Sequence, residues 1–252
     1  MIQLWNDSMT MAGRNILRLR RNPQMIFFTL VQPVFFVLIF NFVFGGSIQT
    51  ETTDYANYLI PGVLIQTLAF AGSNTAIVLA HDANEGSTDR FLSLPIRRSA
   101  VLIGRTLADS TRFVLTSIVI VLMGVAIGFR FGNGFLAGVA ALGLAVLFGF
   151  TFSWVYVTLG LLSTNVETVQ SASFVPTLFT TFASSAFVPV DSLPGWLQVF
   201  AKRQPVTVVV DSIRGLTEAG LPVAKPLLWS MAWMAALLAI FIPFGTRLFG
   251  RN

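Results

Sequence analysis

The chain has 252 residues, 54% hydrophobic and only 11% charged, with 24 Phe and no Cys, and a mean hydropathy of +0.75. A soluble domain carries about 25% charged residues, so this composition excludes an ordinary soluble domain and points to one polytopic membrane domain. The absence of Cys excludes a disulfide framework and thiolate chemistry, and the net charge of +5 reads as loop charge facing an anionic inner leaflet, not as a nucleic-acid footprint.

The first predicted element is an N-terminal helix over residues 1–23. Trp5, Met9, Ala12, Ile16 and Leu19 recur at spacings of four and three, while Arg14, Arg18 and Arg21 lie on other faces. That is an amphipathic helix suited to the inner membrane interface, ended by Asn22-Pro23. No short apolar segment with a small-residue cleavage site opens the chain, so no secretory signal peptide is expected.

A helix needs about 20 apolar residues to cross the hydrocarbon core. Six stretches are expected to do so: 25–44, 55–80, 106–130, 134–162, 168–188 and 226–249. Pro33 is expected to kink the first. The fourth is long, and the fifth is rich in Ser and Thr and contains Pro176, so a five-span reading stays open. Residues 190–215, with Pro194, Gly195 and Trp196, read as an outer re-entrant or interfacial segment anchored by Trp196.

With six spans both termini share a side. Arg14, Arg18, Arg20, Arg21, Arg90, Arg97, Arg98, Arg105, Arg112, Arg247 and Arg251 fall on it, and only Arg130, Lys202, Arg203, Arg214 and Lys225 on the other. The majority side is expected to be cytoplasmic.

Residues 82–98 are the charged exception in the first half. Asp82, Glu85 and Asp89 share a helical face, Gly86 weakens that helix, and Ser93 to Pro95 makes a corner. From Ser99 the chain can be helical again, with Arg98, Arg105 and Arg112 spaced by seven in one stripe and Arg112 snorkelling at the membrane edge. A mixed-charge knob that also carries Phe91, Leu92, Leu94 and Ile96 is a docking surface for another protein; the plainer alternative is a solvated loop.

Catalytic and metal chemistry find no residues. The first Lys is Lys202, so no lysine-bearing phosphate loop exists. The single His, His81, reads as a polar cap at the inner end of the second span, and no metal-ligand spacing or Ser-His-Asp set can be assigned. Mid-span polarity comes from neutral Gln32, Asn41, Gln66 and Asn74, with no carboxylate relay. Glu167 falls in the short connection between the fourth and fifth spans. Gly124, Gly128 and Gly132, like Gly134 and Gly138, are spaced by four, which reads as close packing, with dimerisation as the lesser alternative.

"GSTDRFLSLPIRRSAVLIGRTLADSTR" resembles the loop of ABC-2 type transporter permeases of the daunorubicin-resistance type. Their D-R-F-x-S-L-P-[IM] run stands here at Asp89 to Ile96, and their G-R-x-x-A-D-x-x-R run at Gly104 to Arg112. "RNPQMIFFTLVQPVFFVLIF", "YLIPGVLIQT" and "SSAFVPVDSLPGWLQVFAKRQPVTVVVDSIRGL" are similar to the same family, so the resemblance covers nearly the whole chain.

The resemblance implies an all-α fold: six transmembrane helices, an N-terminal interfacial helix, a cytosolic coupling helix and a re-entrant helical hairpin before the last span. It places the coupling helix at Gly86 to Ile96. Glu85, Gly86, Asp89, Arg90, Phe91, Leu94, Pro95, Arg97 and Arg98 then become docking residues for an ATP-binding subunit. It implies two copies of that subunit, which would hold ATP and Mg, and a second permease subunit, identical or a sibling. It places the assembly in a bacterial plasma membrane among lipids, both termini cytoplasmic, with no cofactor in this chain and no nucleic-acid partner.

The candidate substrate path is Phe28, Gln32, Phe35, Phe36, Gln66, Phe70 and Asn74. A Phe-rich first span suits a hydrophobic or amphipathic drug or lipid, although Phe facing lipid is equally ordinary. The expected function is therefore that of a permease subunit of an ATP-driven exporter, not an enzyme itself. The alternative is an ATPase-independent channel or carrier.

Overall fold

The computed structural model describes residues 23–44, 55–84, 98–163 and 165–249. Among them the chain is all helical. In order come α1 (Pro23–Ile39), continued by a π-helical turn (Phe40–Phe44), α2 (Tyr55–Asn84), α3 (Arg98–Ala126) and α4 (Gly134–Leu162). After these come α5 (Val166–Phe182), a 3-10 turn (Val190–Ser192), α6 (Gly195–Ala201), α7 (Pro205–Thr217) and α8 (Ala224–Phe249).

Four helices are long and apolar enough to cross a membrane: most of α2, α3 from Val101, α4 and α8. The other two expected spans take a different form. α1 reaches membrane length only together with its π-helical turn, and its helix runs through Pro33. α5 stops at Phe182, six residues short of the expected end. There Gln204 donates its amide to the carbonyls of Thr180 (2.7 Å) and Ala183 (3.1 Å), satisfying the orphan acceptors of a helix end and turning the chain. The start of α5 is fixed by Asn165, whose side chain accepts from the Thr168 N–H. Glu167 lies in the first turn of this helix, where its charge suits the helix dipole.

α2 is the axis of the molecule. Leu59, Ile60, Val63, Leu64, Ile65 and Leu68 are all buried, and α1, α3, α4, α5 and α7 pack around it. A helix apolar on every side is one that is enclosed. In a bilayer, burial in protein gains little over burial in lipid, so association depends on close packing and hydrogen bonds. The α2–α4 contact is made in this way. Gly72 lies against the Tyr156 ring, where a Cβ would come within 3.0 Å, and Gly160 lies against the Ala76 carbonyl, where it would come within 2.7 Å.

The expected glycine pairs divide by role. Gly124 and Gly138 pack against Ile60 and Phe131, whereas Gly128 and Gly134 have φ of +111° and +83° in the α3–α4 turn, a region open to glycine. α8 is at the opposite extreme from α2: its buried residues are Ser230, Met234, Gly245 and Phe249.

Candidate functional site

α1 and α5 both pack on α2, and each carries exposed apolar side chains. Phe35 and Phe42 of α1 and its π turn are exposed, as are Phe174, Val175, Leu178, Phe179 and Phe182 of α5. Phe70 of α2 is half-buried and meets Phe174 with ring centroids 5.7 Å apart. A run of aromatic rings links the two helices: Phe36 stacks on Phe40, Phe40 on Phe187 at 4.4 Å, and Phe187 meets Phe182 at 5.1 Å.

Of the expected path residues, Gln32, Phe35 and Asn74 are exposed, Phe36 and Phe70 half-buried, and Gln66 buried within α2. Phe70 joins α5 directly, and Phe36 joins it through the ring run. Phe28 lies within α1, and its side chain is outside the described residues.

α5 seats itself by a narrow ridge. Val169, Ser173, Thr177 and Thr181 are buried at intervals of four, and the Thr177 hydroxyl hydrogen-bonds the buried Tyr156 hydroxyl of α4. The opposite side of α5 carries Gln170 and Ser171, both exposed.

At the other end of α2, polar contacts tie it to α3. Arg105 and Asp82 form an ion pair at 2.9 Å. One helical level deeper the Thr75 hydroxyl donates to Asp109 at 2.7 Å. Deeper still, Arg112 donates to the Ala71 carbonyl at 2.8 Å and lies 3.4 Å from Asp109. Arg105 and Arg112 of the stripe at spacing seven are thus turned towards α2. Arg112 is buried and does not snorkel as expected, because α2 offers it the Ala71 carbonyl and Asp109 of its own helix stands beside it.

α2 and α3 form a charge-laced stalk on either side of the 85–97 segment. The expected docking residues Glu85, Gly86, Asp89, Arg90, Phe91, Leu94, Pro95 and Arg97 lie outside the described residues. Arg98 begins α3, and its side chain is likewise outside them.

A third cluster was not singled out as a site from the sequence. It brings together two of the quoted stretches: Tyr58 to Gly62 from "YLIPGVLIQT", and, from the long stretch that opens at Ser184, both Ser185 with Ala186 and Asp211 to Gly215. The Arg214 guanidinium donates to the carbonyls of Tyr58 and Ser185, both at 2.8 Å, and of Ala186 at 3.3 Å. It also lies 3.5 Å from the Tyr58 ring centroid and 3.3 Å from Asp211. Tyr58 donates its hydroxyl to the Ser185 carbonyl (2.9 Å), and Ser185 donates its own to Asp211 (2.7 Å). Gly62 is required here, since a Cβ would fall 1.8 Å from the Ala186 oxygen. Just beyond α7, partial burial raises the Glu218 carboxyl above the usual range, with Arg214 pulling the other way. The sequence signal was an Asp and an Arg three apart in an otherwise Val-rich helix.

Among the described residues no group of His, Cys, Asp or Glu could hold a metal ion. The arrangement offers exposed apolar side chains on α1 and α5, a polar stalk between α2 and α3 and a polar knot around Arg214.

Comparison with known proteins agrees. Over 248 residues the chain is 29% identical to the daunorubicin resistance ABC transporter permease protein DrrB1 of Streptomyces coeruleorubidus, covering 96% of this chain and 85% of that protein. It is 28% identical over 235 residues to a probable doxorubicin resistance ABC transporter permease protein, DrrC, of Mycobacterium tuberculosis, covering 93% and 84%. It is 29% identical over 213 residues to the putative transport permease ycf38 of Cyanophora paradoxa, covering 82% and 72%. Residues 7–217 match the family model described as ABC-2 type transporter, and the chain is a member of the ABC-2 type transporter family.

Proposed function

We propose that this chain is the permease subunit of an ATP-driven exporter that moves hydrophobic or amphipathic drugs or lipids out of a bacterial cytoplasm. The observation that carries the reading is the family match over residues 7–217 together with permease relatives named for daunorubicin and doxorubicin resistance. The exposed aromatic side chains of α1 and α5 support a hydrophobic or amphipathic substrate.

In this reading α1 with its π turn and α5 complete a six-span topology with both termini cytoplasmic, and α6 and α7 dip into the outer leaflet as a re-entrant pair. Two ATP-binding subunits hold ATP and Mg and dock on the 85–98 segment. Two permease chains pair. The exposed Gln170 and Ser171 of α5, costly against lipid, support a protein or aqueous neighbour there. The α2–α3 stalk carries the motion of the segment inward, because its bonds make the two helices move together.

The test is to express the chain with the ATP-binding subunit encoded beside it and purify the pair in lipid nanodiscs. ATP hydrolysis is then measured with and without amphipathic drugs and lipids. A stable complex whose turnover rises with one compound class supports the exporter. Failure to associate with any ATP-binding subunit, with solute flux through the chain alone, makes it a channel or carrier. Reversing Arg97→Glu and Arg98→Glu together is expected to abolish copurification, and undiminished copurification would remove the docking role.

A further inference from the structure

Arg214 is an expensive residue where it stands. It is 6% exposed, at the end of α7, under the outer end of the most enclosed helix. Charges in such places are retained where they do something that an apolar residue cannot. Its bonds show what that is. One guanidinium gathers carbonyls from two separate pieces of chain, Tyr58 in α2 and Ser185 and Ala186 in the turn after α5, while its own backbone belongs to α7.

The bonds are made at once and lost at once. The fork of a guanidinium can serve three acceptors, whereas the ammonium of a lysine is a single point with different reach. Asp211, which orients the guanidinium, also accepts from the Ser185 hydroxyl at 2.7 Å, so its carboxylate keeps a partner when Arg214 leaves. Gly62 lets the Ala186 backbone sit directly against α2, and besides Arg214 the Tyr58 hydroxyl is the side-chain bond from α2 to that turn.

The helix that receives the latch is the one whose other end is bonded to α3 through Asp82, Thr75 and Ala71. From Gly62, just past Pro61, to Asp82 α2 is continuous helix over 20 steps, or ~30 Å at 1.5 Å per residue. α2 therefore runs as one stiff element from the polar knot to the segment beginning at residue 85.

We propose that Arg214 is a releasable latch that holds the α6–α7 pair onto the outer end of α2, and that movement of α2 at its inner end sets and releases it. Arg214 is in this sense a positioning residue for the outer pair. The coupling half of the proposal rests on the exporter reading; the latch half stands without it.

The natural absence of Cys lets a single reporter thiol be introduced without background. Ser212 suits the purpose, being fully buried on α7 and bonded only to its own helix at Val208. The Ser212→Cys protein in nanodiscs is treated with a membrane-impermeant maleimide, first as the chain alone. Labelling is expected to be slow, to rise at least tenfold with Arg214→Gln, and to rise less with Arg214→Lys. Tyr58→Phe, which keeps the aromatic ring under the guanidinium, is expected to change it little.

The same labelling is then followed in the complex with its ATP-binding subunit. During ATP turnover the rate is expected to rise several-fold with Arg214 intact and to stay high and nucleotide-independent in Arg214→Gln. Unchanged labelling in both Arg214 variants, each monodisperse, overturns the latch whatever the partner does. Unchanged labelling during measured turnover overturns the coupling and leaves the exporter reading standing. If no ATP-binding subunit associates, the exporter reading and the coupling fall together, and the chain-alone result still decides the latch.

Discussion

Arg112 shows how a single side chain can be read correctly in spacing and wrongly in place. Its register with Arg105 is visible in the sequence, and the resulting stripe exists. Its destination is the Ala71 carbonyl of α2, which it meets at 2.8 Å across the helix pair. Asp109 beside it is 17% exposed and also accepts from Thr75. Removing one member of a buried charge pair strands the other, at a cost of about 3 kcal/mol, while replacing both is far milder. Arg112→Met is therefore expected to lower stability by about that amount, and Asp109→Asn with Arg112→Met to recover more than half of it. Unfolding titrations in mixed micelles of sodium dodecyl sulfate would measure this. A neutral Arg112→Met would show that the guanidinium is not integral to the stalk.

At the scale of the element, α5 is the informative helix. Its Ser and Thr content argued against an ordinary span, and part of that polarity is used in packing: the buried ridge takes Ser173, Thr177 and Thr181, Gln170 and Ser171 stay exposed, and four Phe and Leu side chains face outward. Helices in lipid approach along small and hydroxylated residues, so a helix polar on one side and Phe-rich on another is built to be gripped along a single line. The hydroxyl pair of Thr177 and Tyr156 is part of that grip. Thr177→Val keeps the shape but leaves a buried Tyr156 hydroxyl without its partner, which costs about 1–3 kcal/mol. Tyr156→Phe is expected to cost less, because Thr177 still donates to the Ser173 carbonyl. The same micelle titrations would rank the two, and the reverse order would mean that ring packing on Gly72 outweighs the hydrogen bond.

At the scale of the molecule, α2 is the most buried of the membrane-length helices among the described residues and α8 the least, so the bundle is wound around one helix with the last helix laid outside. The orientation of that bundle is a prediction from charge. The Cys-free background makes it directly testable. Ser47→Cys, between the first two expected spans, should react with an impermeant maleimide added to intact cells. Ser87→Cys should react only after permeabilisation. The opposite pattern would invert the topology and move the docking segment outside, which no cytosolic ATP-binding subunit could then reach.

Much of this was legible before any coordinates. Apolar runs of membrane length, the breakpoints between them and the charge asymmetry are local properties of consecutive residues, and hydropathy reports them without knowledge of neighbours. The quoted stretches pointed to the family, and the family model bears that out. What could not be read is where the polar residues of one stretch find their partners. Tyr58 and Arg214 meet across 156 positions, and nothing periodic in either helix names the other. The early end of α5 depended in the same way on Gln204, 24 positions past the Thr180 carbonyl it caps. The sequence by itself determined that this chain enters a membrane as helices, because transfer of apolar segments is settled residue by residue. Only the tertiary structure decided which helix became the axis and which carbonyls the arginines took, because in lipid those choices rest on close contact and hydrogen bonds between distant segments.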